Sequence, residues 1–192
     1  MVKSVRNPHE TKKKILEAAL EEFSEYGFYG ARVDRIVQSA GVNKRMVYHY
    51  FHDKTGLFEA LINAEIVKMS EVAQHGPVDS LVELSRYWLK NAGVTKDYYR
   101  LLMASEAVSG DDIMLKDEHD ASYRYSKNIY SDLLQDKDVD PAYFLLAMVS
   151  ITSFPIMMPG LAKLITGDSV ETTEFGTAYE KALLTLLEEK YR

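Results

Sequence analysis

The chain has 192 residues, no cysteine, 46% hydrophobic residues and a formal net charge of −6. That length allows one sizeable core or a small head with a larger body, and the missing thiols exclude disulfides and thiolate metal sites, as a reducing cytoplasm permits. The charge is segregated: Met1 to Gly56 holds ten Lys+Arg and seven Asp+Glu, hence +3, and the rest holds thirteen against twenty-two, hence −9, so a basic end could meet phosphate while an acidic body limits indiscriminate binding.

Met1 to Arg6, with Lys3 and Arg6, reads as a basic arm. Asn7-Pro8-His9-Glu10 is a helix start, with a capping side chain, Pro at the first position and an acid at the third. Leu16, Ala19, Leu20 and Phe23 repeat at helical spacing, and Gly27 closes the helix. Lys12, Lys13 and Lys14 crowd its first turn against the helix dipole, a cost that a nearby phosphate would offset. The adjacent Glu21 and Glu22 read as an exposed pair, suited to charge balance rather than acid–base work.

From Val33 to Phe58 the sequence predicts two short helices around a tight turn, then the start of a third. Val33, Ile36 and Val37 form one apolar face, Ala40-Gly41-Val42 breaks it, and Asn43 can cap the next helix, whose inward side is Val42, Val47 and Phe51. Lys44, Arg45, Met46, Tyr48 and His49 remain outside. Cations and Tyr hydroxyls position on phosphates, Arg and Lys read guanine edges, and an apolar tip can touch a thymine methyl. The pattern is a helix-turn-helix with Asn43 to Tyr50 as its recognition helix; a basic surface helix is the plainer alternative.

TKKKILEAALEEFSEYGF before this stretch, AGVNKRMVYHYF within it and DKTGLFEAL after it together resemble the TetR family of bacterial transcription regulators. The likeness covers the first third of the chain through its motifs and the remainder only through length and helical character. It implies phosphate contacts for Tyr48 and Lys54, and core and turn roles for Phe51 and Gly41. Two departures stand out. Ala31-Arg32 occupies positions where the family usually has a hydroxyl cap, which Asp34 could replace through the helix dipole. Arg45-Met46 replaces a frequent Gly-Thr, so the operator preference of relatives does not transfer. The DNA-binding set is then Arg32, Asn43, Lys44, Arg45, Met46, Tyr48, His49, Tyr50 and Lys54.

A helix from about Lys54 to Gln74 follows, broken at His75-Gly76-Pro77. The expected division is a head at 1–56 and a body at 57–192, with the linking helix belonging to both. Five further helices are predicted, roughly 78–93, 96–109, 111–135, 141–165 with a break near its prolines, and 171–190. The chain is therefore all-α, with a three-helix amino-terminal head, a larger helical body and about nine helices. Pro141 to Ala162 is uncharged and as long as a bilayer requires, but Pro155 and Pro159 would interrupt a spanning helix, which points to a broken core helix and no membrane role. The last helix carries an apolar stripe of Phe175, Tyr179, Leu183, Leu186 and Leu187 that reads as a dimer interface.

No Gly-rich phosphate loop, nucleophile elbow or metal-ligand spacing occurs, so neither enzyme activity nor a cofactor or metal is expected. His119 among Asp117, Glu118 and Asp120 reads as a solvated acidic turn. The body's Met and aromatic residues are ordinary core filler by themselves; the family resemblance implies that some line an effector cavity, and Trp88, Met103, Tyr123 and Met148 are the candidates, for a largely apolar or aromatic molecule. The resemblance further implies a cytoplasmic repressor released from a near-palindromic operator in double-stranded DNA by a small effector. The alternative is a helical sensor or interaction protein without specific DNA binding.

Overall fold

The computed structural model describes residues 7–110 and 114–191, so the basic arm at 1–6 lies outside the described residues. Regular structure within them is all α-helix: α1 (Pro8–Gly30), α2 (Val33–Ala40), α3 (Lys44–Phe51), α4 (Lys54–Gln74), α5 (Leu81–Lys90), α6 (Ala92–Ser109), α7 (Lys116–Leu133), α8 (Pro141–Met157), α9 (Pro159–Thr166) and α10 (Thr173–Tyr191). The count exceeds the expected nine because the uncharged stretch is two helices bent by 90°. Phe154 accepts the Met158 amide at 2.9 Å to close α8, and Pro159 then starts α9, where its missing N–H is harmless. No single described helix is long and apolar enough to cross a membrane.

Local chemistry explains the starts and stops. Asn7 Oδ1 accepts from the His9 amide and Asp140 Oδ1 from the Ala142 amide, with Pro at the first helical position in both cases. Gly27 adopts φ 64° and kinks α1 instead of ending it, so Phe28 to Gly30 add a final turn. Asn91 separates α5 from α6, its amide and side chain both returning to the Tyr87 carbonyl.

The chain forms two compact units: the chain up to Ile66 with Arg100–Glu118, and Val67–Tyr99 with His119 onward. In the first, Ile15 and Ala19 of α1, Ile36 of α2, Val47 of α3, and Leu57 and Phe58 of α4 are all fully buried. Phe23 and Phe58 rings pack at 4.8 Å, and Phe28 and Phe58 at 5.1 Å. The second unit is built on Leu84, Tyr130, Leu134, Phe144, Leu145, Met148, Leu183 and Leu187.

Candidate nucleic-acid interface

Gly41 takes φ 64°, where a side chain would be strained, and the Val42 amide closes α2 by donating to the Val37 carbonyl at 3.1 Å. Asn43 Oδ1 then accepts from the Arg45 amide at 2.8 Å and fixes the start of α3. With Val47 and Phe51 turned into the core, Lys44, Arg45, Tyr48 and His49 are left exposed, and Met46 and Tyr50 are half-buried beside them. One helical face therefore presents two cations, a phenol and an imidazole.

Neighbouring groups modify that face. Lys44 Nζ lies 2.7 Å from Asp34 Oδ1, and this contact raises the lysine pKa. Both groups are well exposed, so the pair adds little stability. Lys12 Nζ sits 5.3 Å from the centre of the Tyr50 ring, which brings the lysine-rich part of α1 to α3. Lys54 is half-buried: its Nζ donates to the Ala31 carbonyl at 2.7 Å and lies 4.9 Å from the Phe28 ring, and burial lowers its pKa. It thus ties the α1–α2 corner to α4.

Glu22 is not an exposed partner of Glu21. It is 8% exposed, because it continues the inward row of Ile15, Ala18 and Ala19. Its Oε1 accepts from the Arg32 amide at 2.7 Å, and Arg35 Nε donates to both carboxylate oxygens at 2.8 and 2.9 Å. Arg32, the exposed cap residue of α2, makes no side-chain cap hydrogen bond. A carboxylate from α1 therefore supports the start of α2, where the sequence pointed only to Asp34, satisfying the cap amide as the acid of a capping box would.

The junction behind α3 also escaped the sequence. His52 has φ 68° and ψ −56°, and the Asp53 amide donates across it to the Phe51 carbonyl at 2.8 Å, which is a γ-turn. Asp53 Oδ1 accepts from the Gly56 amide at 2.8 Å. A γ-turn has no distinctive residue pattern, although Asp53 followed by an apolar run was a visible cap signal.

In the second unit Trp88, Tyr123 and Met148 line one cavity with Tyr98, Tyr99, Tyr130 and Ser126, with about 30 Å³ free inside it. Met103 is outside it and 54% exposed, since the inward stripe of α6 runs through Thr95, Tyr98, Leu101 and Ser105 on the opposite side. His119 is 3% exposed with Nδ1 2.9 Å from the Tyr98 hydroxyl, whereas Asp117, Glu118 and Asp120 face solvent. Only the carboxylates of that turn are solvated.

The stripe on α10 is largely internal. Phe175, Leu183 and Leu187 are buried, and the Tyr179 hydroxyl donates to the Ile151 carbonyl at 2.8 Å, leaving Leu186 exposed at 64%. The protomer's own core therefore takes most of the apolar face attributed to a partner. Apolar exposure lies instead on α8, where Tyr143, Leu146 and Phe154 are 75, 61 and 42% exposed, and on α9, where Leu164 and Ile165 are 80 and 71% exposed.

Residues 15–61 match the sequence model of bacterial regulatory proteins, tetR family. The HTH-type transcriptional repressor SCO4008 of Streptomyces coelicolor is 41% identical over 76 residues, 40% of this chain and 38% of that protein. The HTH-type transcriptional repressor AcnR of Corynebacterium glutamicum is 34% identical over 84 residues, 44% of this chain and 43% of that one. The chain thus matches less than half the length of these curated relatives. The crystal structure of SCO4942 from Streptomyces coelicolor superposes with a TM-score of 0.74 at 27% identity, covering 94% of this chain and 98% of that one. The likeness is concentrated in the helix-turn-helix head, where residues 15–61 are similar to the tetR family of bacterial regulatory proteins.

Proposed function

We propose that the chain is a sequence-specific transcription regulator, a repressor that binds double-stranded DNA through α3 as a homodimer and is released by a small molecule held in the second unit. The observation that carries the proposal is the split of α3: Val47 and Phe51 are buried while Lys44, Arg45, Tyr48 and His49 stand out from a capped helix start. A short helix can enter a major groove only if its backbone is fixed from behind and its polar face is free. The relatives named as repressors support the same function, and a repressor works at the chromosome, which sets it in the cytoplasm.

Selection from a random DNA pool tests this directly. A near-palindromic preferred site is expected. Arg45→Ala should weaken the best site by about 1–3 kcal/mol and relax the choice of base there, as loss of a base-edge contact does. A pool returned with no sequence preference would favour a helical sensor or interaction protein instead.

One α3 offers too little contact for strong specific binding, so a dimer is part of the proposal. Its interface is assigned to the exposed rather than the buried apolar residues. Tyr143, Leu146 and Phe154 lie on one face of α8, opposite the buried Phe144, Leu145 and Met148, and Leu186 is exposed on α10. A helix apolar on both faces needs cover on both. Leu146→Glu combined with Leu186→Glu should sediment as a folded monomer and lose the preferred site. A parent protein that is monomeric at micromolar concentration would end this assignment.

Release requires the ligand to bind better when DNA is absent. α4 begins next to α3 and carries Met69 and Ala73 into the cavity lining, so a tilt of that helix would alter the spacing of the two recognition helices. Equal ligand affinity with and without the selected DNA would remove the release step while leaving DNA binding intact.

A further inference from the structure

We propose that the cavity of the second unit selects an uncharged ligand with an aromatic ring and a hydrogen-bonding oxygen, and rejects anions and quaternary cations of the same shape. This deepens the effector part of the proposed function and rests on it.

The chemistry of the wall carries the proposal. None of the fifteen lining residues is charged, and eight bear hydroxyl groups. An ion entering would leave water without a counter-charge to meet it, which is costly unless the charge is paired. Aromatic faces alone would attract a cation, and Trp88 with four tyrosines supplies them. A cation–π contact is nevertheless weaker than the hydration such an ion loses, and no carboxylate lines the cavity to make up the difference.

The hydroxyls are also not equivalent. Thr95 and Thr152 turn theirs back to the Ala92 and Met148 carbonyls at 2.9 and 2.8 Å. Tyr98 is held between His119 Nδ1 at 2.9 Å and the Tyr123 hydroxyl at 3.4 Å, with Tyr99 beside Tyr123 in the same wall. This relay can donate or accept at its free end, which suits a phenol, alcohol or carbonyl oxygen. Burial pushes the Tyr98 and Tyr99 hydroxyls well above the ordinary phenol range, so they stay protonated and the wall resists negative charge. Met69 and Met148 let the apolar remainder adapt to a ring.

The test uses four molecules of one shape, 4-propylphenol, propylbenzene, 4-propylbenzoate and (4-propylphenyl)trimethylammonium, titrated calorimetrically into the full chain without DNA. Trp88 is the chain's single tryptophan and lines the cavity, so its emission reports whether a molecule enters there. The phenol should bind and shift that emission, and the other three should bind at least about tenfold more weakly, since a site built to bond an oxygen penalises its absence. Tyr123→Phe should lower affinity for the phenol about tenfold while leaving propylbenzene unchanged; if that variant does not fold, Ser126→Ala makes the same comparison. A charged member binding as tightly as the phenol, no binding by any member, or a phenol affinity untouched by Tyr123→Phe and Ser126→Ala would each overturn the proposal. Because no DNA is present, such a failure leaves the regulator proposal standing, and failure of the DNA selection leaves this result standing.

Discussion

Gly56→Ala should destabilise the head by about 2–3 kcal/mol, the range of a forced overlap in a packed interior, and abolish selective DNA binding. A Cβ built on Gly56 would lie 2.2 Å from the Phe51 carbonyl oxygen and 3.3 Å from its carbon. Both atoms are backbone, so no side chain can swing away to admit the methyl group. Phe51 ends α3, and its carbonyl already closes the γ-turn by accepting from the Asp53 amide at 2.8 Å. His52 is strained within that turn at φ 68°, and the strain persists only because the flanking helices hold it. The substitution must therefore either open the turn or push α4 away from α3. Either movement re-aims Arg45 and Tyr48 without touching them. Thr55→Ala, one residue earlier on an exposed side chain, is the control. Urea unfolding with a gel shift on the selected DNA distinguishes the two, and a Gly56→Ala protein that unfolds and binds like Thr55→Ala would show that the junction is not rigid.

How much of this was legible in the sequence follows from which signals are local. Asn43 and Gly41 announced their roles because capping and positive φ depend on a few consecutive residues. The two prolines announced a break for the same reason, though not that α9 would leave α8 at 90°. Glu22 could not be told from Glu21 by composition; only its place on the inward row of α1, with an arginine thirteen positions on, marks it as buried. The apolar row of α10 shows the corresponding limit. Its spacing establishes that one face is covered, but a period says nothing about whether the cover comes from the same chain or from another. Phe175, Leu183 and Leu187 go to the internal core, and the exposed face moves to α8, which looked uniformly apolar because both of its sides are. Met103 failed as a cavity residue for a related reason: with Thr95 and Ser105 on the buried row of α6, polar residues occupy the inward side and disguise its direction.

Glu22→Gln should weaken the head by about 2–3 kcal/mol near neutral pH, below the 3–5 kcal/mol of a wholly buried ion pair because Arg35 keeps access to water. The side chains are 8% exposed for Glu22 and 39% for Arg35. Glutamine can still accept from the Arg32 amide, but its amide nitrogen would face Arg35 Nε, a donor meeting a donor. Arg35 would retain the Gly30 carbonyl at 3.0 Å and its stacking 4.2 Å from the centre of the Tyr26 ring, which limits the loss further. The acid dependence separates charge from packing. Burial alone would raise the Glu22 pKa; the hydrogen bonds from Arg35 and the Arg32 amide, with the positive charge of both residues, outweigh it and hold the carboxyl below its ordinary value of 4.5. A carboxyl whose folded pKa is depressed stabilises the fold at pH values above the ordinary value, and that contribution disappears as pH falls through the folded one. The gap in urea midpoint between the parent and Glu22→Gln should thus be constant from pH 7 to about 5 and shrink on further acidification. Other carboxylates titrate in both proteins and cancel in the difference. A gap that stays fixed below the ordinary pKa would mean that shape rather than charge holds α1 to the start of α2, and the Arg35 pair would then have no stabilising role of its own.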